Sequence, residues 1–461
     1  MDVKTNGNIS FWYADIGGIP EKRPALPGDR DADVCIIGAG FTGLWTAYYL
    51  KKANPSLNVV VLEREFAGFG ASGRNGGWLS GGFSWSREKY LKTSTRGAVV
   101  DMQNAMAGTV DEVERVTKAE GIDADLLRAD NMTVATNPAQ LQRVREEYQF
   151  NLDWEMPPER LQLLSAEEAG KRIRIANLKG AFIIRNMARV QPAKLVRGLA
   201  RVVESLGVPI YEGTSVTAFE KGRVETDRGT VRAASIIRAT EGFSAGLPGY
   251  ERTWLALNSA QIVTEPVPDA LWKEIGWEGH ELLGDAAHAY CYAQRTREGR
   301  ITMGGRGVPY RFGSKTDING RTQQATIDQL HAILTRLLPQ AKALRIDHAW
   351  CGVLGVPRDW CTTAGFDRST GIGWAGGYVG LGVSSSNLAG RTLADLVLNR
   401  ETELTALPWV NRTVRKWEPE PFRWLGVHSM YQLYRKADER EFAGLAQTSK
   451  LAALADGITG H

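Results

Sequence analysis

Residues 33–77 read DVCIIGAGFTGLWTAYYLKKANPSLNVVVLEREFAGFGASGRNGG. The run Val34-Cys35-Ile36-Ile37 has the composition of a strand buried on both faces. Gly38, Gly40 and Gly43 follow in the spacing G-x-G-x-x-G, and Leu44, Ala47, Tyr48 and Leu50 then fall on one helical stripe. Val59-Val60-Val61-Leu62 reads as a second buried strand, with Glu63 and Arg64 at its end. In such a unit Gly38 allows a sharp turn, Gly40 lets a pyrophosphate approach the backbone, and Gly43 lets helix and strand pack closely. Phe41 and Thr42 open the helix, whose free N–H groups and positive dipole end face the anion. Glu63 lies about 20 residues past Gly43, where a carboxylate accepts hydrogen bonds from a ribose diol. The alternative is a glycine turn without a ligand, but strand, glycines, helix, strand and acid in one unit point to a dinucleotide.

A second glycine-rich loop narrows the choice. Ala71, Ser72, Gly73, Arg74, Asn75, Gly76 and Gly77 come soon after the acid. A nicotinamide dehydrogenase has no general need of such a loop, whereas a flavin must pass through a covered channel. Ser72 and Arg74 offer donors there, and the glycines allow close backbone approach. A third cluster, Gly376-Gly377-Tyr378-Val379-Gly380-Leu381-Gly382-Val383, runs from a predicted strand into a helix. A helix N-terminus at that point places positive dipole near the flavin edge that carries charge on reduction. The expected cofactor is FAD.

The segments GAGFTG, LERE and ASGRNGG together resemble the D-amino-acid-oxidase-type (DAO) FAD-dependent oxidoreductases, a group that includes glycine and sarcosine oxidases and γ-glutamylputrescine oxidase. The likeness extends over about residues 31–400. It implies an α/β fold: a Rossmann-like FAD-binding domain of GR2/DAO type and a second, mostly antiparallel-sheet substrate domain. The expected division is an N-terminal arm (1–30), an FAD-binding domain (31–90, 161–250 and 346–400), a substrate-binding domain (91–160 and 251–345) and a C-terminal helical tail over the FAD domain (401–461). The resemblance further implies an adenine contact by the backbone at Arg189-Val190, closure of the nucleotide site at Thr240, and return of the chain to the FAD domain around Gly352. Relatives end the strand at Thr240 with Ala-Thr-Gly; here Glu241 stands before Gly242.

Family membership implies oxidation of an amine at the carbon beside nitrogen, with a hydride passing to flavin N5 and an imine that water hydrolyses. Tyr290, Tyr292 and Arg306 are the candidate substrate residues, and Trp78 a candidate flavin-facing one. Aromatic rings can enclose an amine, and Arg306 can hold a carboxylate or phosphonate bidentately; each of the four is equally compatible with a purely structural role. Relatives that attach FAD covalently use a His near the first glycine loop or a Cys in the return segment. ASGRNGGWLSGG contains no His, and Cys351 is the one credible attachment point, so noncovalent FAD is expected.

Composition bounds the remainder. The 461 residues are 43% hydrophobic and 23% charged with a net charge of +4, which disfavours a dedicated nucleic-acid binder. Cys35, Cys291, Cys351 and Cys361 show neither C-x-x-C nor zinc spacing. No apolar run approaches a membrane span and MDVKTNGNIS is not Sec-like, so a reducing cytoplasmic setting without membrane or nucleic-acid partners is expected. Small amines or amino-acid-like molecules and O2 or another electron acceptor are the expected partners; the sequence fixes no oligomeric state. A flavin dehydrogenase using a non-oxygen acceptor and a noncatalytic FAD-binding protein are the alternatives.

Overall fold

Strand Arg30–Ile37 sits in the middle of an eight-stranded sheet, between Val59–Leu62 and Thr230–Arg238 and parallel to both. The structure, a computed structural model, describes residues 3–83, 86–316 and 319–459; the side chains of residues 306–309 and 457–459 lie outside the described part. Ile210–Tyr211 and Ile372–Gly376 extend the parallel core to either side, and Thr363–Asp367 closes one edge antiparallel. The apolar run fills both faces as its composition requires. Val34 and Ile36 pack with helix Phe41–Ala53, while Cys35 and Ile37 pack on the opposite face with Val60 and Ile236.

Helix Phe41–Ala53 buries more than its predicted stripe, because Trp45 and Thr46 are also inaccessible. Helix Gly382–Val397 covers that further side. At their crossing Gly390 meets the backbone of Trp45 and Thr46 so closely that a Cβ would have no room.

The second sheet has ten strands and is mostly antiparallel. Its order is Thr5–Asn6, Ile346–Val356, Leu255–Thr264, Ile301–Tyr310, Tyr292–Arg295, Leu282–Asp285, Leu127–Ala135, Gly180–Arg189 and Trp78–Leu79, with Leu161–Ser165 paired to Gly180–Arg189. Its far face packs on helix Gln324–Leu337 through Ala260, Ile262, Met303 and Leu334. Strand membership does not follow the boundaries expected at residues 161 and 346. Leu161–Ser165, Gly180–Arg189 and Ile346–Val356 all belong to the ten-stranded sheet, and helix Arg96–Ala119 packs in the core of the nucleotide unit. A sequence pattern carries no information on which sheet takes a strand.

Two further expectations need correction, and strand Tyr292–Arg295 starts only after a turn through Ala289. The N-terminal arm is no loose covering: helix Phe11–Asp15 is inserted, and Phe11, Trp12 and Tyr13 are buried with Phe66, Phe69, Val263 and Trp350. The tail divides: residues 403–411 pack on the nucleotide unit, whereas the long helix Phe422–Phe442 lies against the ten-stranded sheet and carries helix Lys450–Thr459 against it. His428 Nε2 meets the Tyr310 carbonyl at 2.8 Å. Asp438 accepts the N–H groups of His288 and Ala289, and Arg143 pairs with Glu441 at 2.7 Å. Short polar contacts between distant segments give no periodic signal in a sequence.

Gly390→Ala is expected to destabilise the protein by about 1–3 kcal/mol through overpacking. A chemical-denaturation midpoint equal to that of the unsubstituted protein would show that the two helices have room to separate.

Candidate cofactor and substrate site

A cleft of about 1280 Å³ of empty space, its open mouth included, runs along the carboxyl ends of the parallel strands. The first glycine loop forms its floor with Gly38, Gly40, Phe41 and Thr42. Gly38 has φ +105, and a Cβ there would strike the Ala239 carbonyl, so only glycine fits. Gly43 lies outside the lining; it packs on the Gly38 carbonyl and Ile36, as helix–strand contact requires.

Glu63 and Arg64 stand at one end of the cleft. The two Glu63 oxygens accept the N–H groups of Ala39 and Glu65, each at 2.9 Å. The acid thus braces the glycine turn, and each oxygen keeps a lone pair for a hydroxyl. Burial pushes its carboxyl above the ordinary range, against the pull of those N–H groups. Thr214 and Val216 line the same end. Val190 does not: it is buried in the core and its N–H meets the Gly77 carbonyl at 2.8 Å. Thr214 and Val216 stand beyond the helix and short strand that follow Val190, where no motif marks them.

In the second loop, Ala71, Ser72 and Asn75 line the cleft. Ser72 Oγ accepts the Phe41 N–H at 2.8 Å, which ties the two glycine loops together and leaves the hydroxyl proton to give. Asn75 folds back on Ala71 and Ser72 through Nδ2 and takes the Gly77 N–H on Oδ1. Arg74 points away from the cleft. It is 1% exposed, lies over the Phe69 ring, and donates to the carbonyls of Phe69 at 2.7 Å and Cys351 at 3.3 Å. Gly352 faces this arginine, and a Cβ there would sit 3.4 Å from Arg74 Cβ. Cys351 points to the other face, where it packs with the helix-side cluster and its Sγ approaches the Arg321 carbonyl at 3.2 Å.

The third cluster contributes Tyr378, Gly380, Gly382 and Val383 to the lining, and Thr240 borders it. Tyr378 and Thr42 join their hydroxyls at 2.8 Å, linking this turn to the first loop. Gly377 and Leu381 set the turn from behind: Gly377, at φ +73, rests on Pro357. Sequence reasoning missed Phe243, Gly246, Leu247, Val353, Leu354 and Ser386, which also face the cleft. None stands in a motif; they arrive from the turn after Thr240, the return strand and helix Gly382–Val397.

The ten-stranded sheet meets the flavin loop at Gly76 and Gly77. A Cβ on Gly76 would strike the Tyr292 ring, and one on Gly77 would strike the Gln294 amide. Tyr292 stands edge to face with Trp78 at 6.1 Å between centroids and shares a 3.0 Å hydrogen bond with Ser259. Burial raises the Tyr292 phenol well above its ordinary range, so it stays protonated. Tyr290 is 44% exposed. Arg306 lies opposite Ser259 in the strand register, and its side chain falls outside the described residues.

The cleft fits FAD on its own geometry: glycine cradles where a Cβ would intrude, a helix start behind Gly40, an acid beside the turn, and two further loops closing over the far end. Comparison with known proteins agrees. The family model described as FAD dependent oxidoreductase (DAO) matches residues 33–396. The chain is 28% identical to a gamma-glutamylputrescine oxidoreductase of Escherichia coli over 399 residues, 85% of this chain and 89% of that protein. It is 25% identical to a sarcosine oxidase subunit beta of Arthrobacter, covering 85% of this chain and 93% of the relative. Among solved structures, glycine oxidase from Geobacillus kaustophilus superposes with a TM-score of 0.70 at 22% identity, over 83% of this chain and all of the other.

Glu63→Ala removes a charged acceptor from the cleft and from two backbone N–H groups. FAD affinity should fall by about 1.5–3 kcal/mol, measured by titrating apoprotein with FAD; affinity equal to that of the unsubstituted protein would refute the ribose role.

Proposed function

We propose, from the premise that this chain belongs to the DAO family of FAD-dependent oxidoreductases, that it oxidises the carbon–nitrogen bond of a small amine or amino acid. The protein is an enzyme and its cofactor is FAD. The observation that carries the substrate reading is the contact of Tyr292 with Gly76, which sets an aromatic wall of the second sheet directly on the flavin loop.

Bound flavin would supply a two-electron acceptor for a hydride from the carbon beside nitrogen, and water would hydrolyse the substrate imine. The chain supplies position and field. Trp78 and Tyr292 form two sides of an aromatic corner suited to an alkylamine. Tyr292, protonated and anchored on Ser259, offers a hydroxyl and no basic site. That arrangement suits an amine that binds neutral, so no side-chain base is required. Arg306 in the adjoining strand is the proposed anchor for a carboxylate or phosphonate. Reoxidation of the flavin would fall to O2 or another electron acceptor.

The FAD is held noncovalently on this reading. The outward turn of Cys351 supports it, as does the absence of His from residues 71–82. None of the four cysteines forms a disulfide and all are buried, in keeping with a reducing compartment such as the cytoplasm. No helix among the described residues is long and apolar enough to cross a membrane.

An anaerobic panel of amino acids, N-methyl amino acids, polyamines, acylated polyamines and aminophosphonates should include at least one compound that bleaches the flavin absorbance. A holoenzyme that no member bleaches would leave a noncatalytic FAD-binding protein as the better reading. Acid precipitation should release the yellow colour into the supernatant; a pellet that stays yellow, and loses its colour in Cys351→Ala, would establish a thioether instead.

A further inference from the structure

Glu241 opens the turn Glu241–Gly246 just after strand Thr230–Arg238, and neither nucleotide binding nor amine oxidation gives it a task. It has φ +44, a left-handed conformation that a non-glycine residue adopts only when its surroundings impose it. Its side chain shows what imposes it. Oε1 accepts the N–H groups of Gly377 at 2.8 Å and Tyr378 at 3.1 Å, and Oε2 accepts the N–H of Gly355. The donors belong to two segments remote from Glu241 in sequence: the return strand Ile346–Val356 and the glycine turn that leads into helix Gly382–Val397. A Cβ on Gly355 would strike the same carboxylate, and one on Gly242 would strike Val353. Glu241 also lines the cofactor cleft.

We propose that Glu241 is a positioning residue of the cofactor cleft, whose single carboxyl group fixes the glycine turn against the return strand so that the helix behind the turn meets FAD in one register. The proposal rests on the reading of the cleft as an FAD site. The turn needs such an anchor: Gly376, Gly377 and Gly380 all have positive φ, and glycines left untethered sample many conformations.

The carboxyl group also titrates in a useful range. Arg238 faces it, itself held by Ser244 and stacked on Tyr250 and Trp254, and Tyr378 faces it from the turn. Burial favours the neutral acid and outweighs both Arg238 and the three N–H groups, pushing the carboxyl up to about 7. FAD would remove water from the cleft and bring in two phosphate charges, and both effects favour the protonated acid further. Binding therefore takes up a proton, and affinity falls as pH rises through neutrality. Glu63 is a second acid in the cleft, so the substitution at Glu241 assigns the step.

The test is FAD binding to apoprotein, followed by flavin fluorescence at pH 6 and pH 8.5, with apoprotein melting and the visible spectrum of the loaded form as companions. The unsubstituted protein should bind about tenfold more weakly at the higher pH. Glu241→Gln keeps the shape and one acceptor oxygen, and should bind with an affinity that no longer depends on pH. Glu241→Ala leaves three N–H groups without an acceptor; it should bind at least about tenfold more weakly at both pH values and show an altered flavin band. An Ala variant with the affinity, spectrum and pH profile of the unsubstituted protein overturns the proposal. If that variant does not fold, a Gln variant that keeps both the affinity and the pH step of the unsubstituted protein overturns it. A protein that binds no FAD at either pH refutes the FAD reading itself.

Discussion

Each carbonyl from Gly73 to Gly77 is taken by a donor from elsewhere in the chain. Ser10 holds Gly73, Gln261 and Trp350 hold Arg74, Trp12 holds Asn75, Gln294 holds Gly76, and the Val190 N–H holds Gly77. These donors come from the buried arm, two strands of the ten-stranded sheet, the return strand and the strand end before Pro192. A loop whose oxygens all point outward into hydrogen bonds is fixed in shape, and a buried carbonyl without its donor would be costly. The loop is thus the joint at which the two sheets meet. The nucleotide unit cannot present its far end correctly unless the second sheet and the arm are in place.

That constraint explains the burial of the arm. Trp12 reaches the loop through its indole N–H, and Gln191 in turn holds the Trp12 carbonyl at 2.8 Å. Tyr13 fills the space between Gly68 and Gly73, where a Cβ on either glycine would meet its hydroxyl. Thr5–Asn6 pairs with the return strand, and Asn6 exchanges hydrogen bonds with Thr322. The arm therefore connects the substrate-side sheet to the loop that faces the flavin, although it precedes the residues matched by the family model.

Legibility follows from locality. The strand, the glycine spacing, the helix and the acid at Glu63 lie within one short stretch, each with a distinct composition, and Gly38, Gly40, Phe41, Thr42 and Glu63 of that stretch line the cleft. Arg74 was misread because an arginine in a glycine loop resembles a ligand donor, whereas here it serves the main chain. Thr214, Val216, Phe243 and Leu354 carry no motif, and their place in the lining depends on long-range packing. The two sheets draw strands from throughout the chain, so alternation gives each strand but not its neighbour.

Parity along the return strand shows how little separates one outcome from another. Cys351 and Gly352 are neighbours on a strand, so their side chains lie on opposite faces. Gly352 takes the face toward Arg74 and the flavin loop, where the absence of a side chain lets the arginine pack close. Cys351 takes the face toward Ala260 and Leu330, opposite Ala260 in the register. A shift of one residue would exchange them and set a thiol beside the loop. The register is held against that shift by pairing along the whole of Leu255–Thr264, and by Trp350, whose indole donates to the Arg74 carbonyl at 2.9 Å. The bond that completes the flavin loop is therefore also the bond that keeps the cysteine turned away from it.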